Sequence, residues 1–313
     1  MHCKQLRVTA RAVAMGGTVV LGLGCTQAAM AGSLRTVVVP CYSGALASAI
    51  SDASSGETIV LTPGCVYHLN TALPAVSASV TIEGYGAELL RGNSAPPFPL
   101  LTVDASVDFT VVDVNFKNGG GSGIDGGAIY NEGASTVNVD GGVFTDNYAG
   151  DDYGGAIANW STRSVLTVTG ATFVDNTTPD YGGAIYNYGT ATVYGSDFKN
   201  TLTDDDGGAI YNEGTMQVIA STFTGITSYD GAIYNYSGDD LALTRDAITG
   251  NSAVYGAGVY NDGGTVVVNG SLIAFNRATD DGGGIYNWEG TARAFGNQIY
   301  GNQPDNCVSV QGC

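Results

Sequence analysis

The stretch Gly182-Gly183-Ala184-Ile185-Tyr186-Asn187 returns letter for letter as Gly207-Gly208-Ala209-Ile210-Tyr211-Asn212, and five further versions of it punctuate the chain. They are GGAIYN from Gly126, GGAIAN from Gly154, DGAIYN from Asp230, GAGVYN from Gly256 and GGGIYN from Gly282, so successive starts lie 28, 28, 25, 23, 26 and 26 residues apart. A second signature follows the hexapeptides: Phe144-x-x-Asn147, Phe173-x-x-Asn176, Ile248-x-x-Asn251, Ile273-x-x-Asn276 and Ile299-x-x-Asn302. Phe198 and Asn200 keep it one residue short, and Phe223 lacks the Asn. Between the two signatures lies a β-rich run such as Thr136 to Val139, Leu166 to Val168 or Val266 to Val268. Three short strands in about 25 residues, with no helical periodicity and no room for a helix, predict an all-β chain: a single parallel β-helix of about ten coils. Propeller blades need four strands in about 40 residues and fit badly.

Coils of such a solenoid stack about 4.8 Å apart, so equivalent residues form columns. Side chains alternate across a strand, which places the fourth hexapeptide position, Ile or Val259, inward together with the Asn two residues on. Asn131, Asn159, Asn187, Asn212, Asn235, Asn261 and Asn287 then form an internal ladder, each amide bonded to the next, which leaves no buried polar group unmatched. The fifth position is expected to face outward: Tyr130, Tyr186, Tyr211, Tyr234, Tyr260 and Tyr286, broken by Ala158. Two residues on come Trp160, Tyr188, Tyr236 and Trp288, interleaved with Glu132, Glu213 and Asp262. Such tyrosines either stack for stability or, if exposed, grip neutral sugars or a protein partner. On the second reading Tyr130, Trp160, Tyr186, Tyr188, Tyr211, Tyr234, Tyr260, Tyr286 and Trp288 are the candidate ligand-binding residues.

Acidic residues crowd the corner before the hexapeptide: Asp125, Asp151 with Asp152, Asp180, Asp204 with Asp205 and Asp206, Asp230, and Asp280 with Asp281. Carboxylates stacked at coil spacing repel one another. The corner is therefore either a solvated acidic edge or a Ca²⁺ site, with Asp151, Asp152, Asp204, Asp205, Asp206, Asp280 and Asp281 as candidate ligands. Adjacent coils also allow a carboxylate pair spaced for glycoside hydrolysis. Against that, His68 is the one histidine after the N-terminal segment, and Lys117, Lys199, Arg163, Arg245, Arg277 and Arg293 are scattered singly. A serine or cysteine triad is excluded on the same ground.

The first thirty-one residues read as a secretory signal: Lys4, Arg7 and Arg11, an apolar stretch from Val13 to Gly24, and Ala29-Met30-Ala31 as a cleavage site. Leu23-Gly24 before Cys25 would suit a lipoprotein signal, but Gly22 stands where a large aliphatic belongs. Removing 1–31 takes away three basic residues and no acid, leaving 8 basic and 29 acidic residues and a formal charge of −21. A surface of that sign repels nucleic acid, anionic lipid and polyanionic sugars. Cys41, Cys65, Cys307 and Cys313 remain, an even number in an exported chain, which predicts two disulfides. Of the three possible pairings, the local one would staple the first coil and the last, where end repeats lack a neighbour. Residues 32–125 are expected to hold an entry cap, with a helix from Gly44 to Ala53, and the first coils. The repeat region follows over 126–303 and a C-terminal cap over 304–313. The mature chain is expected to be monomeric and not membrane-spanning.

The alternating GGAI and Phe-x-x-Asn signatures from Phe116 to Asn302 resemble the repeats of the polymorphic outer-membrane protein family. That resemblance implies a right-handed β-helix displayed at a bacterial surface, extracellular and adhesive, with no shared catalytic residues. The phrases from Glu57 to Gly64 and from Thr81 to Gly84 resemble the opening coils of pectin-lyase-like proteins, which would allow a polysaccharide lyase or glycoside hydrolase as the alternative. Family members usually end in a membrane-spanning barrel, whereas this sequence ends at Cys313, just after the last coil, so anchoring by that route is not expected.

Overall fold

The structure, a computed structural model, describes residues 35–150 and 153–313; the signal expected over 1–31 and the pair Asp151 and Asp152 lie outside the described residues. From Arg35 onward the chain winds as a parallel β-solenoid of about 11 turns. The hexapeptide strands, among them Ile157–Asn159, Ile185–Asn187, Ile210–Asn212 and Ile233–Asn235, pair in parallel with Ile on Ile and Asn on Asn. A 19-stranded sheet carries two strands per coil, such as Val165–Thr169 and Thr172–Val174. Short pairs such as Tyr148–Ala149 with Thr177–Thr178 form the remaining side.

Strand alternation sets what faces inward. In Val165–Thr169, Leu166 and Val168 are buried while Val165 is exposed. Phe116, Phe144, Phe173, Phe198 and Phe223 stack face on face with ring centroids 4.6–4.7 Å apart, and Ile248 and Ile273 continue the column. Burying each such ring contributes about 2–3 kcal/mol.

The predicted amide ladder is present. The Nδ2 of each Asn donates to Oδ1 of the next, at 2.6–2.9 Å, from Asn131 through Asn159, Asn187, Asn212, Asn235 and Asn261 to Asn287. It has a direction. Asn131, stacked on Val103, leaves its Oδ1 without a donor, whereas Asn287 gives its Nδ2 hydrogens to the carbonyls of Gly290 and Ser309.

A second ladder runs through the Phe-x-x-Asn signature. Asn147 bonds Asn176, and Asn251, Asn276, Asn302 and Asn306 follow one another at 2.9–3.0 Å. Each Oδ1 also accepts a backbone N–H from the coil before, as Asn176 does from Asn147. Two coils interrupt it: Thr201, buried with an unpartnered Oγ1, and Ile226, fully apolar. Asn200 therefore does not substitute for the missing Asn; it sits exposed one residue earlier, at a left-handed corner with φ 53°.

That corner recurs as Asn118, Asp146, Asp175, Asn200, Gly225, Gly250, Phe275 and Gly301, all at positive φ. Asn, Asp and Gly suit it because the left-handed region crowds Cβ. Phe275, 63% exposed, does not. A third column relays backbone donors to side chains: the N–H of Ser196 meets Ser221 Oγ, that of Ser221 meets Asp246 Oδ1, that of Asp246 meets Ser271 Oγ, and that of Ser271 meets Asn297 Oδ1.

The ends are closed. A helix at Ser43–Ser51, slightly shorter than the one expected, buries Leu46 and Ile50 over the first coil. Cys41 pairs with Cys65 and Cys307 with Cys313, at Cα separations of 5.7 and 6.3 Å, which is the local pairing. Cys307 and Val308 extend the hexapeptide sheet against Ile285 and Tyr286. Among the described residues no helix is long and apolar enough to cross a membrane.

Candidate functional site

The corner residue that precedes each tight turn accepts a hydrogen bond from the glycine of the coil before. Gly126 donates to Tyr153, Gly154 to Tyr181, Gly182 to Asp206, Gly207 to Asp230, Gly231 to Tyr255 and Gly256 to Asp281. The column thus reads Tyr153, Tyr181, Asp206, Asp230, Tyr255, Asp281. This corrects the alignment of Asp230 with the leading glycines: it stacks between Asp206 and Tyr255, and Gly231 takes the turn at φ 60°. One residue is missing between Thr227 and Asp230 and a second between Asp230 and Ile233, which together give the brief 23-residue spacing. Asp204, Asp205 and Asp280 lie just before the column, so the acids do not form one continuous carboxylate row. Among the described residues no group of three or more His, Cys, Asp or Glu is placed to hold a metal ion.

The tyrosines of the fifth hexapeptide position point away from the core, and of the two readings left open stacking is the one most of them take. Tyr186, Tyr211, Tyr234, Tyr260 and Tyr286 are 3–9% exposed and form their own apolar layer. Tyr211 and Tyr234 stack at 4.8 Å, and Tyr234 and Tyr260 at 5.2 Å. Over three of them a tyrosine of the corner column also packs: Tyr153 on Tyr186 at 4.6 Å, Tyr181 on Tyr211 at 4.7 Å and Tyr255 on Tyr286 at 5.7 Å. Trp160, half-buried, closes over Tyr153 and Tyr186. Tyr130 is half-buried. The hydroxyls find acids on the next coil, Tyr186 donating to Glu213 and Tyr234 to Asp262. Burial first, then Glu213 for Tyr186 and Asp206 followed by Asp262 for Tyr234, push both tyrosines far above their ordinary range.

Exposure belongs instead to the column two residues on. Tyr188, Tyr236 and Trp288 are 38%, 39% and 50% exposed, with half-buried Glu213 and Asp262 between them.

Asp206 and Asp230 stand where neighbouring coils carry a tyrosine lid. Asp206 is pushed up to about 8 by burial, then by Asp230, Asp205 and Asp262. Asp230 rises to about 7 through burial and Asp205, with the Tyr255 N–H pulling the other way. One oxygen of Asp230 has no hydrogen-bond partner. Beside it a notch of about 430 Å³ opens, lined by Asp230, Tyr255, Tyr260, Asp281, Tyr286 and Trp288. The ion pairs of the described residues, Arg35 with Glu57, Lys117 with Asp146 and Lys199 with Asp197, lie elsewhere. Sequence reading missed the lid. Its signal was the recurrence of Tyr or Asp immediately before the glycine, hidden at Asp230 by a one-residue deletion within the hexapeptide.

Residues 170–188 match the model of the Chlamydia polymorphic membrane protein (Chlamydia_PMP) repeat. The matched segment, 19 residues, runs from just before the Phe173 strand to just past one GGAIYN strand and so covers part of one turn of the repeating unit. No curated protein matches the chain.

Proposed function

We propose that this protein is exported and displayed at a bacterial surface as a non-catalytic β-helix whose outer aromatic column binds a glycan or a surface protein. The repeat match supports display, and the basic and apolar segment over 1–31 supports export. Two disulfides suit an oxidising compartment. The observation that carries the binding reading is the outer column itself: Tyr188, Tyr236 and Trp288, 38–50% exposed on every second coil, with Glu213 and Asp262 between them. Rigid aromatic rows bind with little loss of conformational freedom.

A second reading, a carbohydrate-active enzyme, is favoured by the Asp206 and Asp230 pair, since two neighbouring carboxyls held protonated near neutrality are the kind of groups acid catalysis uses. One screen separates them. Purified protein is passed over neutral and acidic polysaccharides and intact cells, following retention and the release of reducing or unsaturated ends. Retention without release, lost in a Tyr188→Ala, Tyr236→Ala double variant of unchanged melting temperature, is the expected outcome. Release that disappears in Asp206→Asn, Asp230→Asn would establish the enzyme instead.

A further inference from the structure

We infer that the tyrosine layer is a one-electron relay: an oxygen-centred radical in solution takes an electron from the tryptophans at its ends, and the oxidising equivalent comes to rest as a phenoxyl radical on Tyr186 or Tyr234, whose proton passes to Glu213 or Asp262. The chain has two tryptophans, and they stand at the two ends of this layer. Trp160 meets Tyr186 with ring centroids 5.5 Å apart, and Trp288 meets Tyr286 at 6.3 Å. Between them the five buried tyrosines follow one another at 4.8–5.7 Å without a gap. Trp288 is 50% exposed and Trp160 half-buried, so both ends of the row reach solvent while its middle is closed to it.

Packing alone does not call for phenols here. The core column from Phe116 to Phe223 stacks at 4.6–4.7 Å with rings that resist oxidation. The outer layer is built instead from phenol and indole, the aromatic side chains that give up an electron most readily. Loss of an electron turns a phenol hydroxyl into a strong acid, so the step needs a proton acceptor already within hydrogen-bond reach. Tyr186 has one in Glu213, and Tyr234 has one in Asp262 at 3.0 Å. Burial keeps both phenols protonated, so proton and electron leave together.

The steps balance. A peroxyl radical takes one electron from Trp160 and one proton from solvent, becoming a hydroperoxide and leaving an indole radical cation. Tyr186 gives that indole an electron and Glu213 its proton, so Trp160 is neutral again, Tyr186 is a neutral phenoxyl and Glu213 is protonated. Exchange across the ring of Tyr211 moves the radical on: an electron passes from Tyr234 to Tyr186, Glu213 returns its proton, and Asp262 takes that of Tyr234. A thiolate in solution ends the cycle by giving one electron at Trp288, which Tyr286 and Tyr260 carry inward; it becomes a thiyl radical, and Asp262 returns the proton to Tyr234.

Pulse radiolysis of the purified protein in azide solution tests this, because azide radicals oxidise indole ahead of phenol and the two radical products have distinct absorption spectra. The indolyl signal should convert to phenoxyl at a rate independent of protein concentration. Tyr186→Phe with Tyr234→Phe keeps the stack and should slow that conversion at least tenfold; each single change, the fallback where the pair does not melt cooperatively, should slow it at least twofold. Glu213→Gln with Asp262→Asn keeps every ring and should slow it at least threefold, whereas a role in packing alone would leave the rate where it was. Tyr85→Phe should leave it unchanged, since Tyr85 is bonded to Glu83 but lies outside the layer. An indolyl radical that decays only by second-order encounters in the wild type, or a conversion rate unaltered by the phenylalanine or by the carboxamide changes, would overturn the relay.

Discussion

Replacing Asp246 by Asn should stabilise the protein, and by more at pH 8 than at pH 5. Asp246 is 2% exposed and its Oδ2 has no partner. Its Oδ1 accepts the Ser221 N–H at 2.8 Å. Two coils on, Asn297 shows what the position accommodates: Oδ1 accepts the Ser271 N–H while Nδ2 donates to the Val268 carbonyl at 3.0 Å. Val218 occupies the same register relative to Ser221 as Val268 does to Ser271. An Asn at 246 therefore gains a donor for the Val218 carbonyl, against which a carboxylate oxygen is repelled. Burial raises Asp246 to about 7, opposed by the backbone N–H groups of Ser221 and Thr244 and by Arg245. Against 3.8 for an ordinary Asp, that gap is about three pKa units, each worth about 1.4 kcal/mol, so the ionised form costs at most about 4 kcal/mol. The sign follows directly: a folded pKa raised above the unfolded value means stability present below about 4 and lost as pH rises through about 7. The Asn variant carries no such loss. Thermal unfolding of both proteins at pH 5 and pH 8 tests this. At roughly 2–4 °C per kcal/mol for a chain of this size, the gain at pH 8 should approach 10 °C and shrink markedly at pH 5. Asp206 and Asp230 titrate in both proteins and cancel in the difference. A gain equal at the two pH values, or a loss at pH 8, would refute the reasoning.

Within the first amide ladder, Asn212→Ala removes the acceptor of Asn187 and the donor to Asn235, two buried groups at about 1–3 kcal/mol each, whereas Asn131→Ala at the open end orphans one. Denaturant midpoints should fall about twice as far for the first as for the second, and equal falls would show that the bonds do not act individually. Phe275→Gly relieves a left-handed phenylalanine and should stabilise by about 1 kcal/mol despite losing the edge contact to Tyr300, which chemical denaturation can read. Thr201→Asn supplies the missing rung beside Asn176 and should raise the melting temperature by a few degrees, at about 1 kcal/mol for a completed buried bond.

Much of the solenoid was legible because one face of a short strand repeats with period two. Ile185 and Asn187, two apart, must share a face, and their return at Ile210 and Asn212 identifies the column and its direction inward. The sequence left three disulfide pairings open, and the structure takes the local one, which fastens the solenoid ends. The second ladder was visible as spelling but not as function: that Asn176 satisfies a backbone N–H of the preceding coil depends on the corner geometry of Asp175, which spacing does not reveal. The burial of the tyrosines was illegible for a related reason. Tyr186 is covered by Tyr153, 33 positions away, and no pattern local to either residue carries that contact. The notch escaped because a one-residue deletion moved Asp230 out of the register in which it appeared to belong.

The directional ladder of buried amides also bears on how such a chain changes length over generations. Between Asn159 and Asn261 every rung receives from one neighbour and gives to the next through identical atoms, so the joints are interchangeable. Unequal crossing-over between two GGAIYN copies would excise or duplicate a whole coil and rejoin like with like, leaving Asn131 and Asn287 to terminate the run as before. The length of the solenoid is then a heritable variable that recombination can adjust in steps of about 4.8 Å, without a single new contact having to be selected.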